Sequence, residues 1–90
     1  GALDIVMESS YPVSEDLKIT VTATVKIVYS GGYTKTQDYT FDVFFEAERS
    51  RGTGYVYLDL QGRYDVSIIS YTMESDTPVS LNGMVEYKLQ

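Results

Sequence analysis

Residues 27–36 read IVYSGGYTKT, two strand-like runs on either side of Gly31-Gly32, and how this turn closes decides how the rest of the chain is arranged. From Leu17 to Tyr29 the odd positions are Leu, Ile, Val, Ala, Val, Ile and Tyr, whereas the even ones are Lys, Thr, Thr, Thr, Lys and Val. Such period-2 alternation, rich in β-branched residues, predicts a half-buried strand. From Tyr39 to Ala47 the odd positions are again apolar (Tyr39, Phe41, Val43, Phe45, Ala47) and the even ones are acidic or Thr, Phe44 excepted. Opposing residues of an antiparallel pair share one face. A two-residue loop at Gly31-Gly32 would therefore set Val25 against Asp38 and Ala23 against Thr40. Keeping odd opposite odd requires an odd loop, for instance Ser30-Gly31-Gly32 with a left-handed glycine and a bulge. The alternative is that the two strands are not neighbours but lie in facing sheets, with residues 30–38 crossing between them. The long polar stretch SGGYTKTQD favours that crossing.

Beyond this region the alternation changes parity. In TGYVYLDL, residues 53–60, Val56, Leu58 and Leu60 point inward and Tyr55, Tyr57 and Asp59 outward. A corner at Gln61-Gly62 leads into RYDVSI, where Tyr64, Val66 and Ile68 point inward; the phase then slips at Ile68-Ile69, as a β-bulge allows, so that Ile69, Tyr71 and Met73 take over. The last run, PVSLNGMVEYKL, alternates through Val79, Leu81, Val85, Tyr87 and Leu89 and passes unbroken through Asn82-Gly83, which predicts a strand kinked at Gly83 rather than a hairpin. Leu3, Ile5 and Met7 predict a short edge strand ended before Pro12.

Six to seven strands without a helical pattern or a fixed-length repeat predict one all-β domain over residues 1–90, an antiparallel two-sheet sandwich. A five-stranded meander is the alternative, because the strand ending near Ser50 joins the one starting near Thr53 with compatible parity. The expected core holds Val21, Val25, Phe41, Val43, Phe45, Leu58, Val66 and Val85. Ninety residues with 43% hydrophobic and 22% charged side chains suit one thin core rather than disorder.

The net charge of −6 repels phosphate backbones and anionic membrane faces, so nucleic acid is not an expected partner. No apolar run reaches the roughly 20 residues of a membrane helix. A chain that opens on Gly instead of Met reads as one processed at its start, with a targeting segment upstream. Without Cys there is no disulfide frame, and without Cys or His there is no ordinary zinc site, thiolate nucleophile or imidazole base.

Tyr55 to Ile68, YVYLDLQGRYDVSI, resembles the E strand, corner and F strand of immunoglobulin-like and fibronectin type III-like sandwiches, with Leu58 or Leu60, Gly62, Tyr64 and Val66 at the matching places. The resemblance implies an immunoglobulin-like sandwich in which Tyr64 is a corner tyrosine, ring inward and hydroxyl bonded to nearby backbone. The chain departs from that family in having no core Trp, no Cys pair and no Pro in the corner.

Candidate site residues follow from parity. Tyr55 and Tyr57 project from one outward face and, with Phe44 or Tyr33, are expected to form an aromatic platform for a sugar ring or a protein partner. Against this stands the ordinary preference of Tyr for strands and cross-strand pairs. Asp38, Asp42, Glu46 and Glu48 are expected in a row on the solvent face of one strand, a poor setting for the desolvated carboxyl that glycoside hydrolysis needs. The loop acids Glu15-Asp16 and Glu74-Ser75-Asp76 lack any EF-hand spacing. Gly52-Thr53-Gly54 is too short for a phosphate loop and reads as a turn. The expectation is a non-catalytic binding or spacer module of an exported or cell-surface bacterial protein, without cofactor or metal. It is expected to be extracellular, periplasmic or surface-bound, a monomer or weak oligomer, with protein or carbohydrate as partner. The alternative is a structural subunit that associates through strand edges, using the N-terminal strand and the strand ending at Gln90.

Overall fold

The computed structural model describes residues 1–89, the side chain of Val85 apart, so the expected core position Val85 lies outside the described side chains. Six strands follow in chain order: β1 (Ala2–Ser9), β2 (Leu17–Tyr29), β3 (Thr34–Phe45), β4 (Arg51–Tyr57), β5 (Tyr64–Glu74) and β6 (Leu81–Leu89). All neighbours pair antiparallel, in the spatial order β5-β2-β3-β4-β1-β6. The all-β antiparallel expectation holds. The hydrogen bonding, however, joins every strand into one sheet curled as a half-barrel, where two separate sheets were expected. The meander alternative survives only in β2-β3-β4, because β1 lies between β4 and β6 and β5 lies beside β2.

The turn at Gly31-Gly32 is a hairpin after all, which corrects the expected crossing between sheets. β2 and β3 pair along their whole length, with Val21 opposite Phe41, Ala23 opposite Tyr39 and Val28 opposite Thr34. Odd stays opposite odd because the loop is Ser30-Gly31-Gly32. Tyr29 donates its N–H to Tyr33 O at 2.8 Å, Gly32 donates to Tyr29 O at 2.9 Å, and Gly32 carries φ +89°. This is a three-residue loop with its glycine in the left-handed region and a bulge, whose twist suits the flanking strands. Of the polar stretch that pointed to a crossing, residues 34–38 are strand, exposed at every position, and residues 30–32 are the loop.

The concave face holds the core. Leu3, Ile5 and Met7 of β1 and Ile19, Val21, Ala23, Val25 and Ile27 of β2 are at most 1% exposed, and Val13, Phe41, Val43, Phe45, Val56 and Leu58 complete the buried hydrophobic set. Apart from Ala23, each such side chain contributes about 1.5 to 3 kcal/mol relative to remaining in water. Val66, also an expected core residue, is half-buried because β5 is an edge strand. The N-terminal strand is not an edge: β1 pairs with β4 on one side and β6 on the other, so both of its flanks are covered.

Two strands bend where the alternation slips. On β5 the register with β2 jumps from Ile68 to Ser70, leaving Ile69 as the extra residue, 57% exposed, while Tyr71 resumes the inward parity opposite Ala23. On β6 the register with β1 shifts on both sides of Gly83 and Met84, and Gly83 carries φ +101°, so the strand kinks through Asn82-Gly83 without reversing. At the far end, β3 stops at Phe45. Ala47 donates its N–H to Asp16 Oδ1 at 2.9 Å and Glu48 donates to Val13 O at 2.7 Å, which turns the chain before Ala47 can face the core. The expected acidic row therefore reduces to Asp38 and Asp42, because Glu46 and Glu48 lie in this loop.

Candidate functional site

β3 and β4 touch at only three positions: Val43 pairs with Gly54, Phe44 with Thr53, and Phe45 with Gly52. Gly52-Thr53-Gly54, expected as a turn, is the first half of β4. The two glycines face inward at the parity of Val56, and each has a neighbour where a side chain would begin. A Cβ on Gly52 would lie 2.5 Å from the Phe45 ring, which fills that space instead, as aromatic residues do beside a strand glycine. A Cβ on Gly54 would strike the Asp42 carbonyl oxygen. Glycine at both places thus lets β3 press onto β4 at this end.

Past Gly54 the strands separate. Tyr55, Val56 and Tyr57 continue to pair with Asp4, Leu3 and Ala2 of β1, but no longer with β3. The space between is a cleft of about 930 Å³ on the convex side, lined by Thr40, Asp42 and Phe44 from β3, Thr53, Tyr55 and Tyr57 from β4, and Asp4, Glu86 and Lys88 from β1 and β6. Phe44 is 58% exposed, and Tyr55 and Tyr57 are each 67% exposed. Residues two apart on one strand stand roughly 6.5 Å apart. Phe44, opposite Thr53, lines the same cleft as Tyr55 and Tyr57, so the three exposed rings border one opening.

The β3 wall of the cleft is polar and held from behind. Thr20 Oγ1 donates to Asp42 Oδ1 at 3.1 Å, Thr22 and Thr40 share a hydroxyl hydrogen bond at 3.0 Å, and Thr24 Oγ1 donates to Asp38 Oδ1 at 2.7 Å. This cross-strand ladder ties Thr40 and Asp42, both of which line the cleft, to β2. On the opposite rim Arg51 pairs with Glu86 at 3.8 Å, both side chains more than half exposed.

Tyr33, the fourth expected member of the platform, is elsewhere. It sits past the hairpin tip, its ring 5.7 Å from that of Tyr29. Tyr64 also packs against Tyr29, edge-on at 6.3 Å, and among the described residues its hydroxyl has no hydrogen-bond partner, contrary to a corner tyrosine. The hydroxyl that does hold backbone is that of Tyr71, which accepts the Met84 N–H at 2.9 Å across the open side of the half-barrel. Nearby, burial first and then the phenols of Tyr29 and Tyr64 raise the Tyr39 hydroxyl above its ordinary pKa. Among the described residues no three acidic side chains gather as a cation site, and Asp16 is committed to Ala47.

Sequence parity identified Phe44, Tyr55 and Tyr57 but not the cleft beside them. The signal for the cleft was Gly52 and Gly54, two glycines on the inward parity of a strand. Compared with known proteins, the chain matches no family model, no curated protein and no solved structure.

Proposed function

We propose that this chain is a non-catalytic binding module of an exported or cell-surface protein, and that it takes a neutral glycan chain in the cleft between β3 and β4. The observation that carries the reading is the exposure of Phe44, Tyr55 and Tyr57 around one cleft: three large rings that contribute nothing to the core. Ring faces suit the apolar faces of sugars, and the hydroxyl and carboxylate groups of Thr40, Thr53 and Asp42 suit their hydroxyls. An overall charge of −6 disfavours anionic polymers. The extents of 47 × 20 × 17 Å also suit a module that holds other domains apart. The finer fold reading belongs to the same proposal: the leaves β5-β2-β3 and β4-β1-β6, hinged at three residue pairs, act as the two layers of an immunoglobulin-like sandwich.

The test is a screen against a glycan array and a pull-down of surface proteins, repeated with Tyr55→Ala/Tyr57→Ala. The double variant is expected to keep its circular dichroism spectrum and to lose about 1 to 4 kcal/mol of affinity for the glycan found. A protein partner in place of a glycan would change the ligand class. Affinity untouched by the double variant would remove the cleft as the site.

A further inference from the structure

The curl of the sheet brings its edge strands β5 and β6 toward each other without pairing them; β5 pairs only with β2, and β6 only with β1. Tyr71 bridges this seam with its whole side chain, through the hydrogen bond to the Met84 N–H. A ring, a hydroxyl and a hydrogen bond laid end to end cover roughly two strand spacings of about 4.8 Å, the width left when one strand is missing. Beside Tyr71 the seam opens into a cleft of about 590 Å³ lined by Ile68, Ile69, Met84 and Tyr87, and a second of about 630 Å³ reaches Tyr64, Asp65 and Leu89. The stretch Glu86 to Leu89 borders both openings and, among the described residues, presents a backbone edge with no strand against it.

We infer that this edge is the contact between two copies of the chain, paired β6 to β6 antiparallel about a two-fold axis at Tyr87. The charge order along β6 selects a second copy as the occupant. Glu86 and Lys88 flank Tyr87, both exposed and both on the convex face, where they stand opposite Val6 and Asp4. In an antiparallel pairing centred on Tyr87, Glu86 meets the partner's Lys88, Lys88 meets the partner's Glu86, and Tyr87, 42% exposed, meets the partner's Tyr87 on the other face. Two opposite-charge pairs and one aromatic pair arise from three consecutive residues. The other edge has no such order: β5 carries Asp65 and Glu74 without any Lys or Arg, so two copies joined through it gather carboxylates only. Within the monomer, the competing partner of Glu86 is Arg51 at 3.8 Å, an exposed pair too weak to withhold it. The bulges before Glu86 limit the new ladder to the last residues of β6, which makes the dimer weak and reversible.

Sedimentation equilibrium from about 10 μM to about 1 mM tests this, and a reversible monomer–dimer equilibrium is expected within that range. Lys88→Glu leaves two acids facing two acids, and Glu86→Lys leaves two lysines facing two lysines; each is expected to weaken the dimer about tenfold or more. An equimolar mixture of the two variants restores Lys opposite Glu at both places and is expected to dimerise as the parent does. Circular dichroism confirms that each variant folds. A parent that stays monomeric throughout, variants that dimerise as the parent does, or a mixture no better than either variant alone would each overturn the inference.

Discussion

Phenylalanine at Tyr71 and at Tyr64 separates a phenol that holds backbone across the seam from one that only packs its ring. Tyr71 accepts the Met84 N–H in a half-buried setting where no strand is available to replace it. Removing the hydroxyl leaves that donor without its partner, at a cost of about 1 to 2 kcal/mol, the upper part of the range applying if water does not reach Met84. For a domain of this size that is a fall in Tm of roughly 4 to 16 °C. Tyr64→Phe removes a hydroxyl bonded to nothing among the described residues and keeps the ring on Tyr29, so its cost is below about 0.5 kcal/mol. Urea titrations followed by circular dichroism give both values under one condition. A Tyr64→Phe loss above about 1 kcal/mol together with a negligible Tyr71→Phe loss would refute the seam geometry and restore the corner tyrosine.

Glycine substitutions probe the hairpin and the hinge of the cleft. Gly54→Ala drives a Cβ into the Asp42 carbonyl oxygen, a backbone atom that moves only with its strand, and is expected to cost about 1 to 3 kcal/mol in a chemical denaturation. At the turn, Gly32→Ala at φ +89° is expected to cost about 1 to 2 kcal/mol, whereas Gly31→Ala, with nothing within 4 Å, is expected to be neutral or stabilising by up to about 1 kcal/mol. Tyr39 supplies a pH dependence. Its folded pKa lies above the unfolded value near 10, so its contribution is whole below about pH 10 and is lost as pH rises through the folded value. Denaturation midpoints between about pH 9 and 11 are expected to fall more steeply for the parent than for Tyr39→Phe.

What the sequence disclosed was local parity. Val21, Val25, Phe41, Val43, Phe45 and Leu58 were readable as core because a strand sends alternate residues to opposite faces, and the bulge at Ile69 was readable because the alternation slips there. The same parity required an odd loop at Gly31-Gly32. It did not choose between a three-residue hairpin and a crossing, since both keep Val25 and Phe41 on one side. The place of β1 was hidden for a related reason: Leu3, Ile5 and Met7 alternate identically at an edge or in the middle, and what decides is β6, some eighty residues away in the chain. At the candidate site, Tyr55, Tyr57 and Phe44 were legible as outward aromatics. Tyr33 shares their character but not their position, because it closes the hairpin. Tyr71 was read only as an inward residue, since its partner Met84 belongs to a strand brought near by the curl of the whole sheet.

The proposed ligand enters where β3 and β4 separate. The most direct measurement is a titration of the ¹⁵N-labelled chain with the array-selected ligand, followed by amide chemical shifts. The largest shifts are expected in residues 40–44 and 53–57, on the two walls of the cleft. Shifts confined to the loops at residues 10–16 and 75–80, with those two stretches unmoved, would contradict it.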